Sequence, residues 1–228
     1  VIEDSAFLHN TSDGLDLLYA SGTATVTLNR VWAEGNAGNQ IKVGGSASVT
    51  NSVVVGNCGF FDSKPFTYNV DPCRAYGDAL AFSMKSASNV SSLVNSTVVG
   101  QGNVVVLGVG PVGAKLKVQN NILIGKPYYF DPSIQMADIY YDLGTITVTD
   151  AGNLKQTLRS VKCTTSTGVI CGSAGLVNDS FTAFNPQLLS TSLARDSAQS
   201  GALVPAADYY GTVRPTGAGI DRGAVEFK

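Results

Sequence analysis

A six-residue pattern recurs five times in the first half of the chain. Its copies are Glu3-Asp4-Ser5-Ala6-Phe7-Leu8, Leu28-Asn29-Arg30-Val31-Trp32-Ala33, Thr50-Asn51-Ser52-Val53-Val54-Val55, Val94-Asn95-Ser96-Thr97-Val98-Val99 and Gln119-Asn120-Asn121-Ile122-Leu123-Ile124. The second residue, Asn in four copies and Asp in one, advances in steps of 25, 22, 44 and 25 residues. The step of 44 is one period plus an insertion, visible between Asn57 and Asp78. A period of 22 to 25 residues is too short for propeller blades or helical-pair repeats and fits one turn of a coil of three short strands. Asn tolerates the left-handed backbone of a tight turn, and stacked Asn side chains can bond along the axis of a stack. Two and four places after the turn residue stand Ala6 and Leu8, Val31 and Ala33, Val53 and Val55, Thr97 and Val99, Ile122 and Ile124. That alternation is the signature of a strand with one face inside.

The fold class these features predict is all-β, a right-handed parallel β-helix of about five coils over residues 1–125. Each coil would stack about 4.8 Å above the last. Residues 126–228 would hold the last coil or coils and an irregular capping segment packed on the helix. A leucine-rich-repeat solenoid would need a Leu-x-x-Leu-x-Leu pattern, which the chain lacks. A further strand set begins at Leu15, Ile41, Leu80 and about Val104, with inward pairs Leu15/Leu17, Ile41/Val43 and Leu80/Phe82. Asp16, Lys42 and Ala81 then form one outward column. By the same alternation Phe7, Trp32, Val54, Val98 and Leu123 would face outward, and an apolar stripe of that kind needs a cover; the tail after about Lys126 is the expected one. The chain starts at Val1 already inside a coil, which reads as a fragment, a processed product or one module of a larger protein.

Composition narrows the setting. Of 228 residues 44% are apolar and 14% charged, which excludes a disordered chain, and a net charge of −2 with scattered basic residues leaves no nucleic-acid footprint. No apolar run approaches the roughly 20 residues that span a bilayer. The four cysteines form two local pairs, Cys58 with Cys73 and Cys163 with Cys171, each bracketing a turn-rich segment. Disulfides are expected over zinc, because close Cys-x-x-Cys spacings are missing and the single histidine, His9, is remote. Disulfides imply an oxidising compartment, hence a secreted, extracellular or periplasmic protein. Sequons stand at Asn10, Asn89, Asn95 and Asn178.

The densest charged locus is Ser12-Asp13-Gly14-Leu15-Asp16-Leu17 beneath Gly38-Asn39-Gln40-Ile41-Lys42-Val43-Gly44-Gly45. Alternation sets Asp16 and Lys42 one rung apart, with Asp13 at the rim. From spacing alone the reading to prefer is an ordinary cross-strand ion pair on a solvated face, worth well under ~1 kcal/mol. The two motifs, over roughly Thr11 to Asn57, also resemble those of the family 9 pectate lyases, which are right-handed β-helices. The resemblance implies calcium at Asp13 and Asp16 and Lys42 as catalytic base. The chemistry it implies is β-elimination, in which the base takes the proton α to a uronate carboxylate while calcium stabilises the developing charge. Ser12 departs from the family's pattern, standing where a further carboxylate belongs. Without metal, Asp16 would raise the lysine's pKa and make it a poor base. Hydrolysis by paired carboxylates is less supported, since the next rung offers Ala81 rather than an acid.

The insertion, closed by Cys58 and Cys73, leads into the same strand column and is expected to overhang Asp16 and Lys42. It carries Phe60, Phe61, Phe66, Tyr68 and Tyr76 beside Asp62, Lys64 and Arg74. Phe61, Tyr68 and Tyr76 could stack on sugar faces, Arg74 could pair with a uronate, and Asp62 and Lys64 could add polar contacts; the aromatics could equally form the loop's own small core. His9 and Lys85 read as plain surface residues. The ending, Ala206 through Arg214-Pro215 to Gly219-Ile220-Asp221-Arg222-Gly223-Ala224-Val225-Glu226, resembles the closing segment of many bacterial secreted β-helix proteins and is expected to cap the last coil's open edge. The functions in play are therefore a calcium-dependent lyase acting on a uronate polysaccharide, a non-catalytic carbohydrate-binding module, and a structural or adhesin coil. The partner would be a polysaccharide, met by a monomer or by a module of a larger chain.

Overall fold

The computed structural model describes residues 1–228 except 21–24, 63, 65–76, 132, 134–135, 143–144, 157–162 and 164–166. The described residues are all-β, with a 3-10 turn at Cys58–Phe61 and no α-helix. Three columns of parallel strands run through the molecule. The column before the turn contains the first half of β3 (Val26–Glu34), then β5 (Ala47–Thr50), β8 (Val90–Val94), β11 (Lys115–Gln119) and β14 (Thr147–Ala151). The column after the turn contains β1 (Ile2–Leu8), the second half of β3, β6 (Val53–Gly56), β9 (Thr97–Gly100), β12 (Ile122–Gly125), β15 (Leu154–Gln156) and β16 (Ile170–Cys171). The third contains β2 (Leu15–Leu17), β4 (Ile41–Gly44), β7 (Leu80–Ser83), β10 (Val104–Val109) and β13 (Asp138–Asp142). Outside the columns, β17 (Leu176–Asn178) and β18 (Asn185–Leu188) form a short antiparallel pair. The sheets curl round one interior to which all three columns contribute, among them Leu28, Val49 and Leu93, Ala33, Val54 and Val98, and Ile41, Leu80 and Phe82. This arrangement is compatible with a parallel β-helix.

The turn joining the first two columns is where the repeat pattern was legible. Asp4, Arg30, Asn51, Asn95 and Asn120 have φ between 45° and 58°, and Gly152 takes the next such turn at 62°. One assignment needs correction: Arg30, not Asn29, holds the left-handed position in the second copy, and the ladder pairs Ala6 with Trp32 and Trp32 with Val53. The axial bonding also falls one residue later than expected. The hydroxyl of Ser52 accepts the Val31 N–H at 3.2 Å, and that of Ser96 accepts the Ser52 N–H at 3.1 Å. Asn121 Oδ1 accepts the Ser96 N–H at 2.9 Å, and Asn153 Oδ1 the Asn121 N–H at 2.7 Å. These groups are buried, so each bond satisfies a turn N–H that has no water to turn to.

The strands after the turn present the opposite faces to those expected. Phe7, Val54, Val98 and Leu123, expected outside, point into the common interior. Val53, Val55, Val99, Ile122 and Ile124, expected inside, lie on the opposite face. That face is nonetheless dry, because Phe181, Phe184, Leu188, Ala194, Ala224 and Val225 pack on it. Trp32, placed outside by both readings, meets Phe184 and Tyr209 edge-on at 6.2 and 5.7 Å. Val53, Val54 and Val55 are all fully buried. A strand covered on both sides carries no usable alternation.

The cover is a lateral strap rather than an end cap. Arg222 donates to the Asn153 carbonyl at 2.8 Å, and the Gly223 N–H to that of Asn120 at 2.8 Å. Asn95 Nδ2 donates to the Asp221 carbonyl at 3.0 Å, and Arg214 reaches Asn51 Oδ1 at 3.4 Å. The strap thus spans four successive turns of the column. Arg214 and Glu226 form an ion pair with side chains 1% and 0% exposed. The Glu226 carboxylate also accepts the N–H groups of Asp221 and Thr216, while Arg214 donates to the Asp221 and Gly223 carbonyls. Burial pushes the Glu226 carboxyl up and the Arg214 guanidinium down, so each relies on the other to stay charged. Asn95, one of the four sequon residues, is fully buried in this contact.

At the far end the interior changes character. Lys155 pairs with Leu123 and Asp150 with Val118, so both stand on inward positions, and there they form an ion pair while almost wholly buried.

Candidate functional site

The charged locus read from the sequence is assembled by the third column. Asp16 lies opposite Lys42, and Ala81 is the next rung. Lys42 Nζ stands 2.7 Å from Asp13 Oδ2 and 3.2 Å from Asp16 Oδ2. Asp13 Oδ1 accepts the Asn39 N–H at 2.7 Å and Asn39 Nδ2 at 3.1 Å, and Asp16 Oδ1 accepts the Leu18 N–H at 2.9 Å. Gly38 permits this approach, since a Cβ there would fall 2.2 Å from Asp13 Oδ1. Burial alone would depress the Lys42 ammonium, but hydrogen bonds and charge from Asp13 and Asp16 outweigh it and raise its pKa. Burial alone would raise Asp16, and the Leu18 N–H together with Lys42 brings it below its ordinary value.

The resemblance assigns Asp13 and Asp16 to calcium. Calcium takes 6–8 oxygens. Here two carboxylates have each of their four oxygens engaged by an N–H donor, and an ammonium already lies between them. Among the described residues no three His, Cys, Asp or Glu side chains come together as a metal set. As arranged, this cluster does not fit calcium, and the ammonium that neutralises it is protonated and therefore not a base.

A second, concave locus lies at the other end of the same connections. Residues 9–14 join β1 to β2, with His9 at one end and Asp13 at the other; residues 35–40 join β3 to β4, between Glu34 and Lys42. His9 and Glu34 line a cleft of about 560 Å³ with Asn57, Gly59, Phe60, Asp62, Gln101, Tyr129, Phe181 and Thr182. The Phe60 ring stacks on His9 at 3.6 Å and 5°. The Trp32 indole N–H holds Glu34 Oε2 at 2.7 Å, and the Tyr129 hydroxyl donates to Asp62 Oδ1. Tyr129 is itself fixed by its N–H on the Gln101 carbonyl at 2.9 Å. The side-chain oxygen of Gln101 is buried and meets no hydrogen-bond donor among the described residues. Lys64 Nζ lies 5.0 Å over the Phe60 ring.

Of the residues expected to bind substrate, Asp62 lines the cleft, Phe61 is buried edge-on to Phe60, and Lys64 is exposed beside it. Tyr68, Arg74 and Tyr76 lie outside the described residues, as does Cys73. Cys58 is disulfide-bonded, and Cys163 and Cys171 are joined; a disulfide fits an oxidising environment. His9, read as a plain surface residue, belongs to the cleft, whereas Lys85 is exposed and bonds Ser83. Glu34, Gln101 and Phe181 were not singled out by sequence. The aromatic run Pro127-Tyr128-Tyr129-Phe130 was the available signal for this wall. No helix among the described residues is long and apolar enough to cross a membrane. Comparison with family models, with curated proteins and with solved structures finds no match to this chain.

Proposed function

We propose that this chain is a secreted right-handed parallel β-helix that recognises a polysaccharide through the cleft between His9 and Tyr129. The helix reading is supported by the strand ladders, in which nearly every column strand pairs in parallel with one about a repeat away in sequence. The recognition reading is carried by one observation. Aromatic rings of Phe60, Tyr129 and Phe181 share a cleft of about 560 Å³ with the carboxylates of Glu34 and Asp62 and the amides of Asn57 and Gln101. Pyranose rings offer apolar faces that stack on aromatic rings and equatorial hydroxyls that need fixed acceptors, so a cleft with both suits them. The cleft also sits on loops held by rigid strands, the usual place for recognition.

Calcium-assisted β-elimination at Lys42 draws on the motif alone, and the engaged oxygens of Asp13 and Asp16 weigh against it. Titration calorimetry against a panel of neutral, amino and uronate oligosaccharides tests the proposal. Tyr129→Ala should weaken binding about tenfold, the value of one lost stacking contact, and Phe60→Ala, which removes the ring that holds His9 at the cleft wall, should weaken it as well. Undiminished binding in both variants would remove the cleft from the account. Unsaturated product from polygalacturonate with calcium, lost in Lys42→Ala, would restore the lyase.

A further inference from the structure

The cleft does not stop at Gln101, and this step rests on the recognition reading above. The pairing of Gly56 with Gly100 and of Gly100 with Gly125 sets Asn57, Gln101 and Lys126 one above another where the chain leaves the second column. Asn57 and Gln101 line the cleft already described. Lys126 lines a second opening of about 390 Å³ with Gly125, Pro127, Met136, Gln156 and Ser173. Both walls are common to the two openings. On one side the segment Pro127-Tyr128-Tyr129 gives Pro127 to the second and Tyr129 to the first. It is held by the bridge between Pro127 and Met136 and by the Tyr129 N–H on the Gln101 carbonyl at 2.9 Å. On the other side the strap follows the same corner. Asp179 pairs with Lys126 at 2.8 Å and accepts Gln156 Nε2 at 3.2 Å, while Phe181 and Thr182 line the first opening. The ladder passes from Glu34 through Val55, Val99 and Ile124 to Gln156, a length of about 19 Å along the axis.

The strands that lead into this corner, β6, β9 and β12, are paired on both sides, so they offer no free edge to an extended peptide. What the corner presents is side chains: rings and amides at one end, Pro127, Met136 and the Ser173 hydroxyl at the other. A run of pyranose rings, apolar on their faces and hydroxylated at their edges, suits such a mixture along its whole length.

We infer that the two openings are successive stretches of one groove along the helix axis, and that its occupant is an extended saccharide chain several rings long rather than one or two sugars. The probes are cello-, chito- and galacturono-oligosaccharides, each as dimer, trimer, tetramer and hexamer, titrated into the intact protein. In a series that binds, affinity should climb at least tenfold from trimer to hexamer as the second stretch fills. Ser173→Ile, which adds bulk at an exposed position of the second opening, should lower hexamer affinity about tenfold and leave the trimer unchanged. Tyr129→Ala, in the first stretch, should weaken trimer and hexamer alike. Affinity that levels off at the trimer would overturn the inference, as would hexamer binding indifferent to Ser173→Ile. In either case the recognition reading stands. The chain-length profile needs no variant, so it decides the question even if Ser173→Ile fails to fold. Absence of binding by every series at every length would instead remove the recognition reading, and the groove with it.

Discussion

The Asp13–Lys42–Asp16 cluster and the Arg214–Glu226 cluster are made of the same kinds of charge, but different surroundings give them different work. Lys42, Asp13 and Asp16 are 21%, 13% and 43% exposed at the rim of the third column, so water and salt share their neutralisation. Arg214 and Glu226 are enclosed between the strap and the Asn turns, where only protein groups can compensate them. A half-exposed cluster is worth little to stability and can be exchanged. An enclosed one is costly to break whether or not it was favourable to form. The motif that resembles a catalytic one in the sequence is held, as folded, in an ion cluster on a rim. The ending that looked inert fixes the outer face of the columns.

Breaking the enclosed pair should give the largest effect. Glu226→Gln leaves the Arg214 charge buried without its partner and should cost about 3–5 kcal/mol in urea unfolding, with earlier proteolysis of the strap. A loss below about 1 kcal/mol would erase the distinction between the clusters.

Asp78 offers an intermediate case, since it is buried with one carboxylate oxygen that has no partner among the described residues. Burial pushes its pKa up to about 6, against the lowering effect of the Val104 N–H. A carboxyl raised on folding contributes most below its unfolded pKa of 3.8 and loses that contribution as pH rises through about 6. Asp78→Asn should therefore stabilise the protein at neutral pH by roughly 2–3 kcal/mol and flatten the decline between those limits. An unchanged pH profile in the variant would show that the Asp78 carboxylate finds compensation.

Lys42→Ala should cost under about 1 kcal/mol, a cost that added salt diminishes. Because Lys42 is raised and Asp16 lowered, the cluster's contribution is present from above the ordinary carboxylate range up to the ordinary lysine range. It fades as pH falls through the lowered Asp16 value or climbs through the raised Lys42 value. Calcium should leave the melting temperature of the unaltered protein unchanged, and a calcium-dependent rise would return Asp13 and Asp16 to a metal site.

Legibility in the sequence followed how local each constraint was. A left-handed turn constrains one residue, so Asn51, Asn95 and Asn120 are visible at once, and Arg30 escapes because Arg, unlike Asn or Asp, is not enriched in that conformation. The third column was read correctly down to Asp16 opposite Lys42, since its inner and outer residues differ in polarity. The cleft was legible only in part. Phe60 and Asp62 stood out in the insertion, but Glu34, Gln101, Tyr129 and Phe181 come from connections up to about 150 residues apart, which register and strap bring together.

By itself the sequence determined the period, the turns, the parallel stacking of three strand columns and the ion cluster at the rim, because each follows from neighbours in the chain or from one repeat to the next. Only the tertiary structure decided which face of Val53-Val54-Val55 and Ile122-Leu123-Ile124 is the interior. A pleated strand presents alternate residues to opposite faces, and its sequence distinguishes them only when one face meets water. Here the strap of residues 173–227 dries the outer face, so both faces are apolar and the choice passed to the packing of the whole chain.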